Sequence, residues 1–150
     1  MSREIFYCVA FIAGLGVAIQ AGVNSQLRIM VQNPLLTALI SFLVGTAGLI
    51  IIYLIYYKSI PMPPETPVSE ITWWKWTGGM LGVFYIVSMI IVAPKIGAAN
   101  ALGFAVAGQL FFAVILDHFG LIGFEVKPIT WIRIAGVLFL LLGVYLIQRK

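Results

Sequence analysis

Uncharged amide side chains interrupt the apolar stretches of this chain, and they are the residues best suited to bind a small molecule. Gln20 and Asn24 lie four residues apart and share one helical face with Gly16. Gln109 lies near the middle of a later apolar stretch that also holds Asn100. Burying an amide without a partner costs roughly 2–7 kcal/mol, so each needs a role. We expect these amides to line a cavity that binds a solute through hydrogen bonds.

Two titratable residues, Asp117 and His118, follow Gln109 at the end of the same stretch. They are the candidates for a proton-coupled or gating step, and the alternative is that they order a loop or anchor the helix end. A carboxylate is unfavourable at a helix C-terminus because of the helix dipole, so we expect a cationic partner for Asp117. The candidates are His118, Lys127 and Arg133.

The sequence predicts neither an enzyme nor a cofactor. It contains no nucleophile elbow, no metal-ligand spacing and no paired carboxylates, and its glycine-rich stretches lie in apolar segments that phosphate cannot enter. No basic stripe with interleaved aromatic residues indicates nucleic-acid binding. We therefore expect no catalytic residue, no metal and no nucleic-acid partner.

Five charge-free intervals must position these polar residues. Hydrophobic residues make up 62% of the 150 residues and charged residues only 9%. A helix needs about 20 apolar residues to cross the bilayer core. The intervals between charged residues contain 23 (after Glu4), 29 (after Arg28), 19 (after Lys75), 21 (after Lys95) and 15 residues (after Arg133). The last is short, but arginine stems can extend it towards the headgroups. The sequence predicts an all-α integral membrane protein with five transmembrane helices.

We expect one transmembrane domain over residues 1–150. Its predicted helices cover about 5–27, 34–56, 74–92, 98–119 and 129–147. Pro34 suits the first turn of a helix, where its missing N–H is tolerated, and Pro94 should end the third helix. Prolines in the link 59–71 favour an extended strap.

The basic residues divide almost evenly between the two sides of the membrane. Five lie on the side of the N-terminus (Arg3, Lys58, Lys75, Lys127, Arg133) and four on the other (Arg28, Lys95, Arg149, Lys150). An excess of Lys and Arg on the cytoplasmic side sets the orientation of a membrane protein. A difference of one basic residue between the two sides favours neither orientation strongly. Insertion in both orientations is one reading, which would allow an antiparallel homodimer of ten helices; a single fixed orientation is the other.

Three segments combine small and polar residues within apolar stretches: GLGVAIQAGVNSQL (residues 14–27), SFLVGTAG (41–48) and GQLFFAVILDHFGLIG (108–123), the last followed by Arg133 and Gly136. Together they resemble the YdcZ-like family, a five-helix, half-size branch of the drug/metabolite transporter superfamily. The resemblance covers nearly the whole chain. It implies an inner-membrane transporter whose subunits pair antiparallel.

Gly136 and Gly143 lie seven residues apart, in a spacing that resembles the dimerising helix of small multidrug resistance transporters. Two glycines on one face let another helix approach closely in lipid. We expect them to contact a second copy of the chain, although glycines are also common in membrane helices that make no such contact.

The predicted function is secondary transport of a small neutral, zwitterionic or weakly polar solute by alternating access in that dimer. No Asp, Glu, Lys or Arg lies at the centre of any predicted span, which disfavours proton-coupled export of cations through a midplane carboxylate. The expected partners are the lipid bilayer, a second copy and the solute. Two alternatives remain open: half of a heterodimeric transporter, or a small protein that assembles with or stabilises a partner membrane protein. The alternative role of the amides themselves is to form hydrogen bonds between helices.

Overall fold

The computed structural model describes residues 3–59 and 71–149, and the regular structure within these ranges is helical. The five α-helices are α1 Arg3–Val31, α2 Pro34–Tyr56, α3 Thr77–Ile96, α4 Ala98–Phe119 and α5 Trp131–Gln148. Short 3-10 helices precede α3 at Trp73–Trp76 and follow α4 at Leu121–Gly123. All five helices are long and apolar enough to cross a membrane. The predicted all-α, five-span class is therefore confirmed.

The chain divides into two compact units, Met1–Ile91 and Val92–Lys150, and the boundary falls within α3. In the first unit α1 packs against α2, and in the second α4 packs against α5. That residues 1–150 form one domain stays a prediction. The proline-rich strap lies almost entirely outside the described residues.

A two-residue turn joins α1 to α2. Gln32 adopts the left-handed conformation with φ 57°, which reverses the chain direction after α1. Asn33 then caps α2, because its Oδ1 accepts hydrogen bonds from the backbone N–H groups of Leu35 and Leu36 at 2.9 and 3.1 Å. Pro34 is the first residue of α2, as predicted. The turn therefore satisfies the exposed donors of α2 with a single side chain.

The third helix runs two residues beyond Pro94, whereas the sequence predicts that the proline ends it. Proline removes one N–H donor, but the ladder of hydrogen bonds resumes after it, since the Gly97 N–H donates to the Ala93 carbonyl at 2.9 Å. Gly97 ends α3 with a φ of 87°, a conformation that side chains with a Cβ rarely adopt. This single glycine separates α3 from α4.

Large apolar side chains face outward over most of the molecule. Examples are Phe11 on α1, Val44 on α2 and Phe139 on α5, which are 70%, 69% and 72% exposed. A soluble protein would hide many of these groups, whereas lipid is as apolar as they are. The outer surface is therefore suited to a bilayer.

In the second unit, α4 packs closely against α5 at Gly103 and Val144. A Cβ atom on Gly103 would lie 3.1 and 3.2 Å from the two γ-carbons of Val144. Val144 itself is only 5% exposed. Close approach of two backbones at a small residue increases van der Waals contact, which is the main attraction between helices in lipid.

We predict that Gly103→Val destabilises the protein by about 1–3 kcal/mol, because three additional carbon atoms overpack the contact with Val144. Thermal unfolding of purified protein in detergent measures the loss. Gly108→Val is the matched control, since a Cβ at Gly108 meets no atom within 4 Å. Combining Gly103→Val with Val144→Ala should recover much of the lost stability, because Val144→Ala removes the two γ-carbons that the new side chain would meet. Equal melting of the Gly103 and Gly108 variants would contradict this packing.

Candidate functional site

In the first unit, a groove between α1 and α2 is lined by both polar and apolar residues. Its volume is about 310 Å³. The residues that line it are Gln20, Ser41, Phe42, Gly45, Thr46 and Leu49. The amide of Gln20 and the two hydroxyl groups can each donate and accept hydrogen bonds, and none of them carries a charge.

Helical periodicity explains why α2 contributes these residues. Ser41, Gly45 and Leu49 follow one another at four-residue intervals and therefore share one face. Gly45 leaves space beside Gln20, because a Cβ there would meet no atom within 4 Å. The sequence predicts Gln20 as a site residue, whereas Ser41 and Thr46 join it only in the structure. The available signal for Ser41 was a hydroxyl residue one helical turn before a glycine, Gly45, and Thr46 has no such signal.

Asn24, one helical turn after Gln20, is 4% exposed. Thr37 on α2 is the other buried polar residue among those described, with no exposed surface. The Thr37 hydroxyl donates to the Asn33 carbonyl at 2.8 Å, so it serves its own helix. Because Gln20 and Asn24 are four residues apart, the buried Asn24 amide lies on the same face of α1 as Gln20.

The other two predicted amides belong to the second unit and have different surroundings. Gln109 is exposed on α4. Asn100 donates from Nδ2 to the Ile96 carbonyl at 2.8 Å, which ties the start of α4 to the end of α3. Its Oδ1 is buried without a hydrogen-bond partner among the described residues. The bond to Ile96 favours a structural role for Asn100, and a solute cavity shared with Gln20 stays a prediction.

Asp117 pairs with Arg133, one of the three cations that the sequence offered. Arg133 Nη2 donates to the Asp117 carboxylate, and Nη1 donates to the Lys127 carbonyl at 2.9 Å. The Lys127 backbone N–H in turn donates to the Asp117 carbonyl at 2.7 Å. Both charged side chains are partly buried, at 30% and 23% exposure. The ion pair thereby fastens the start of α5 to the end of α4.

His118 also contacts the segment between the two helices. Its Nδ1 accepts a hydrogen bond from the Ile129 N–H at 3.2 Å, and its ring packs edge-on against Phe119. Gly120 caps α4 with φ 60°, and a Cβ there would lie 2.7 Å from a methyl of Val126. These contacts favour the loop-ordering role for Asp117 and His118. Their role in proton coupling or gating stays a prediction.

The predicted dimer glycines both have free space around them. A Cβ on Gly136 or Gly143 would meet no atom within 4 Å. Gly143 also lines an open groove of about 400 Å³, next to Gly103 and Val144. Both positions on this face of α5 are therefore open, and contact with a second copy stays a prediction.

The chain is similar in sequence to a known family of membrane proteins. Residues 5–146 match the model of a family described as "Putative inner membrane exporter, YdcZ". The chain is 25% identical over 150 residues to the "Inner membrane protein YdcZ" of Escherichia coli (strain K12), covering 100% of this chain and 99% of that protein. No solved structure matches the chain.

We predict that Asp117→Asn lowers the stability of the folded protein by about 1–3 kcal/mol, since it leaves the partly buried Arg133 without its counter-ion. Thermal unfolding in detergent measures the change. Glu125→Gln is the matched control, because Glu125 is an exposed carboxylate in the same connection. Asp117→Asn should cost much less when Arg133 is already Gln. Equal costs in both backgrounds would show that the pair does not stabilise the turn.

Proposed function

Because the chain belongs to the YdcZ family of inner membrane exporters, we propose that it is a secondary transporter of a small neutral, zwitterionic or weakly polar solute. It is a multi-pass inner membrane protein, and the family description supports a transporter role rather than an enzymatic one. The finer features proposed are the solute class, the antiparallel dimer and alternating access.

The groove at Gln20 is the observation that carries the solute class. One amide and two hydroxyl groups, from Ser41 and Thr46, border a space of about 310 Å³ in an otherwise apolar surrounding. Ligand sites commonly combine apolar walls with a few well-placed polar groups. Neutral donors and acceptors favour hydroxyl, amide and zwitterionic groups on the solute. These uncharged groups provide no negative charge that could bind a cation.

The distribution of acidic residues supports the same solute class. The five acidic residues of the chain are Glu4, Glu65, Glu70, Asp117 and Glu125, and none lies in the interior of α1, α2, α3 or α5. Asp117 lies two residues before the end of α4 and is paired with Arg133. A cation exporter driven by a midplane carboxylate would need a different arrangement.

An antiparallel homodimer is the proposed assembly. The five-to-four division of basic residues favours insertion in both orientations. Two inverted copies would enclose a site near the middle of the membrane, as inverted repeats do within larger transporters. The free space beside Gly136 and Gly143 supports helix-to-helix contact along α5. The same glycines would also serve a heterodimeric transporter or a complex with a different membrane protein.

Saturable solute flux in proteoliposomes that contain this chain alone tests transport against those alternatives. The probes are zwitterionic amino acids and neutral polyols, with tetraphenylphosphonium as a permanent cation for comparison. Flux of a neutral or zwitterionic probe is the expected result. Flux that appears only after a second membrane protein is co-reconstituted would favour the heterodimer or the partner-stabilising role.

We predict that Gln20→Leu, Ser41→Ala and Thr46→Val each weaken the apparent affinity for a transported probe. Losing one hydrogen bond from the site should cost about 1 kcal/mol, or roughly fivefold in affinity. Concentration-dependent counterflow in proteoliposomes measures it. Gln26→Leu is the matched control, because Gln26 is an exposed amide on α1 outside the groove. Unchanged affinity in all three groove variants would exclude this site. Gln109→Leu tests the second unit in the same assay.

A reporter fused after the C-terminus should be found on both faces of the membrane. Ile29→Lys with Met30→Lys should then move the chain to one orientation, since both side chains are exposed at the end of α1 and add two charges to one side. The control replaces the same residues by Gln, which adds polarity without charge. A reporter confined to one face in the unaltered chain would contradict the homodimer.

A further inference from the structure

Pro94 creates a break in the hydrogen bonding of α3. A proline has no backbone N–H, so the carbonyl four residues earlier, that of Ile90, loses its helical donor. The helix nevertheless continues to Ile96, and the Gly97 N–H donates to the Ala93 carbonyl at 2.9 Å. The carbonyl left without a helical donor is therefore that of Ile90, a residue that is only 1% exposed.

Arg28 supplies a donor to this carbonyl from another helix. Its Nη1 lies 2.7 Å from the Ile90 oxygen, across 62 residues of sequence. Arg28 belongs to the last turn of α1, and its side chain is partly buried by the contact. An unsatisfied carbonyl inside a membrane costs several kcal/mol, so the bond offsets a large penalty.

We infer that Arg28 is a positioning residue that replaces the hydrogen bond removed by Pro94, and that it thereby holds the end of α1 to α3 at Ile90. A charged donor makes a hydrogen bond roughly twice as strong as a neutral one. Guanidinium has five N–H donors, so one can bind the carbonyl while the others stay directed to water or headgroups. A long apolar stem lets it do both at a membrane edge.

The bond joins one flexible side chain to one carbonyl, so it can break and re-form without unfolding either helix. A contact of this kind is suited to the movement of helices during alternating access. That consequence rests on the proposed transport function, whereas the bond itself does not.

The test is a double-mutant cycle between Arg28 and Pro94, read by thermal unfolding of the purified full chain in detergent. Arg28→Met should lower the apparent melting temperature by about 4 °C or more, because the Ile90 carbonyl loses its donor. Pro94→Ala restores an N–H at position 94, so Arg28→Met should then cost little. An equal fall in both backgrounds would overturn the inference. Pro94→Leu restores the same donor and replaces Pro94→Ala if that variant does not fold.

Two further variants separate the hydrogen bond from the charge. Arg28→Lys keeps a charged donor on a long stem and should recover at least half of the stability lost in Arg28→Met. Arg149→Met removes a positive charge from the same predicted side of the membrane, and its effect should be the same with Pro94 or Ala at position 94. No recovery by Lys, or a dependence of the Arg149 effect on residue 94, would overturn the inference.

Flux in proteoliposomes then tests the consequence for movement. Any probe transported by the unaltered chain should be exchanged more slowly by Arg28→Met, and Pro94→Ala should remove this dependence on Arg28. A melting cycle without coupling overturns the role of Arg28 whatever the flux. Absence of flux in the unaltered chain overturns the proposed transport function and leaves the melting cycle to decide the role of Arg28.

Discussion

Inside a bilayer core no water competes for a backbone N–H or C=O group, so each of these groups must find its partner within the protein. Helix interiors meet this requirement automatically, and the difficulty falls on helix ends and on interruptions. Asn33 meets it at the start of α2, and the Thr130 side chain accepts from the Arg133 N–H at the start of α5. Gly120 meets it at the end of α4, where its N–H donates to the Leu116 carbonyl.

The same requirement explains how the basic residues near helix ends are used. Arg28 donates to the Ile90 carbonyl, and Arg133 donates both to the Lys127 carbonyl and to Asp117. These arginines therefore complete backbone hydrogen bonding at places that the helices leave open. They also count among the charges that influence orientation, so a single residue contributes to folding and to topology.

In the proposed transport function, solute recognition in the spans depends on uncharged groups. Gln20 with Ser41 and Thr46 in the first unit combines hydrogen-bonding capacity with a low desolvation cost compared with a charged group. The second unit holds the tightly packed pair of Gly103 and Val144 and the open glycine face of α5. A transporter must release its solute as well as bind it, and a site of neutral hydrogen bonds is compatible with both steps.

The sequence by itself determined the class of the protein and most of its helices. Mean hydropathy of +1.09 and charge-free intervals require membrane-spanning helices, because apolar side chains and backbone groups can be satisfied in lipid only in this way. The position of Pro34 at the start of α2 followed from local chemistry. The end of α3 did not, because a break of one hydrogen bond at Pro94 is compensated by contacts that local sequence does not specify.

Only the tertiary structure decided which side chains meet. It selected Arg133 among three cations for Asp117, placed Ser41 beside Gln20, and brought Arg28 to the Ile90 carbonyl. Each of these contacts depends on the rotation of one helix about its axis and on its register along a neighbour. Apolar patterning constrains both weakly when lipid and protein are equally apolar, so the sequence identifies the polar residues while the packing of helices chooses their partners.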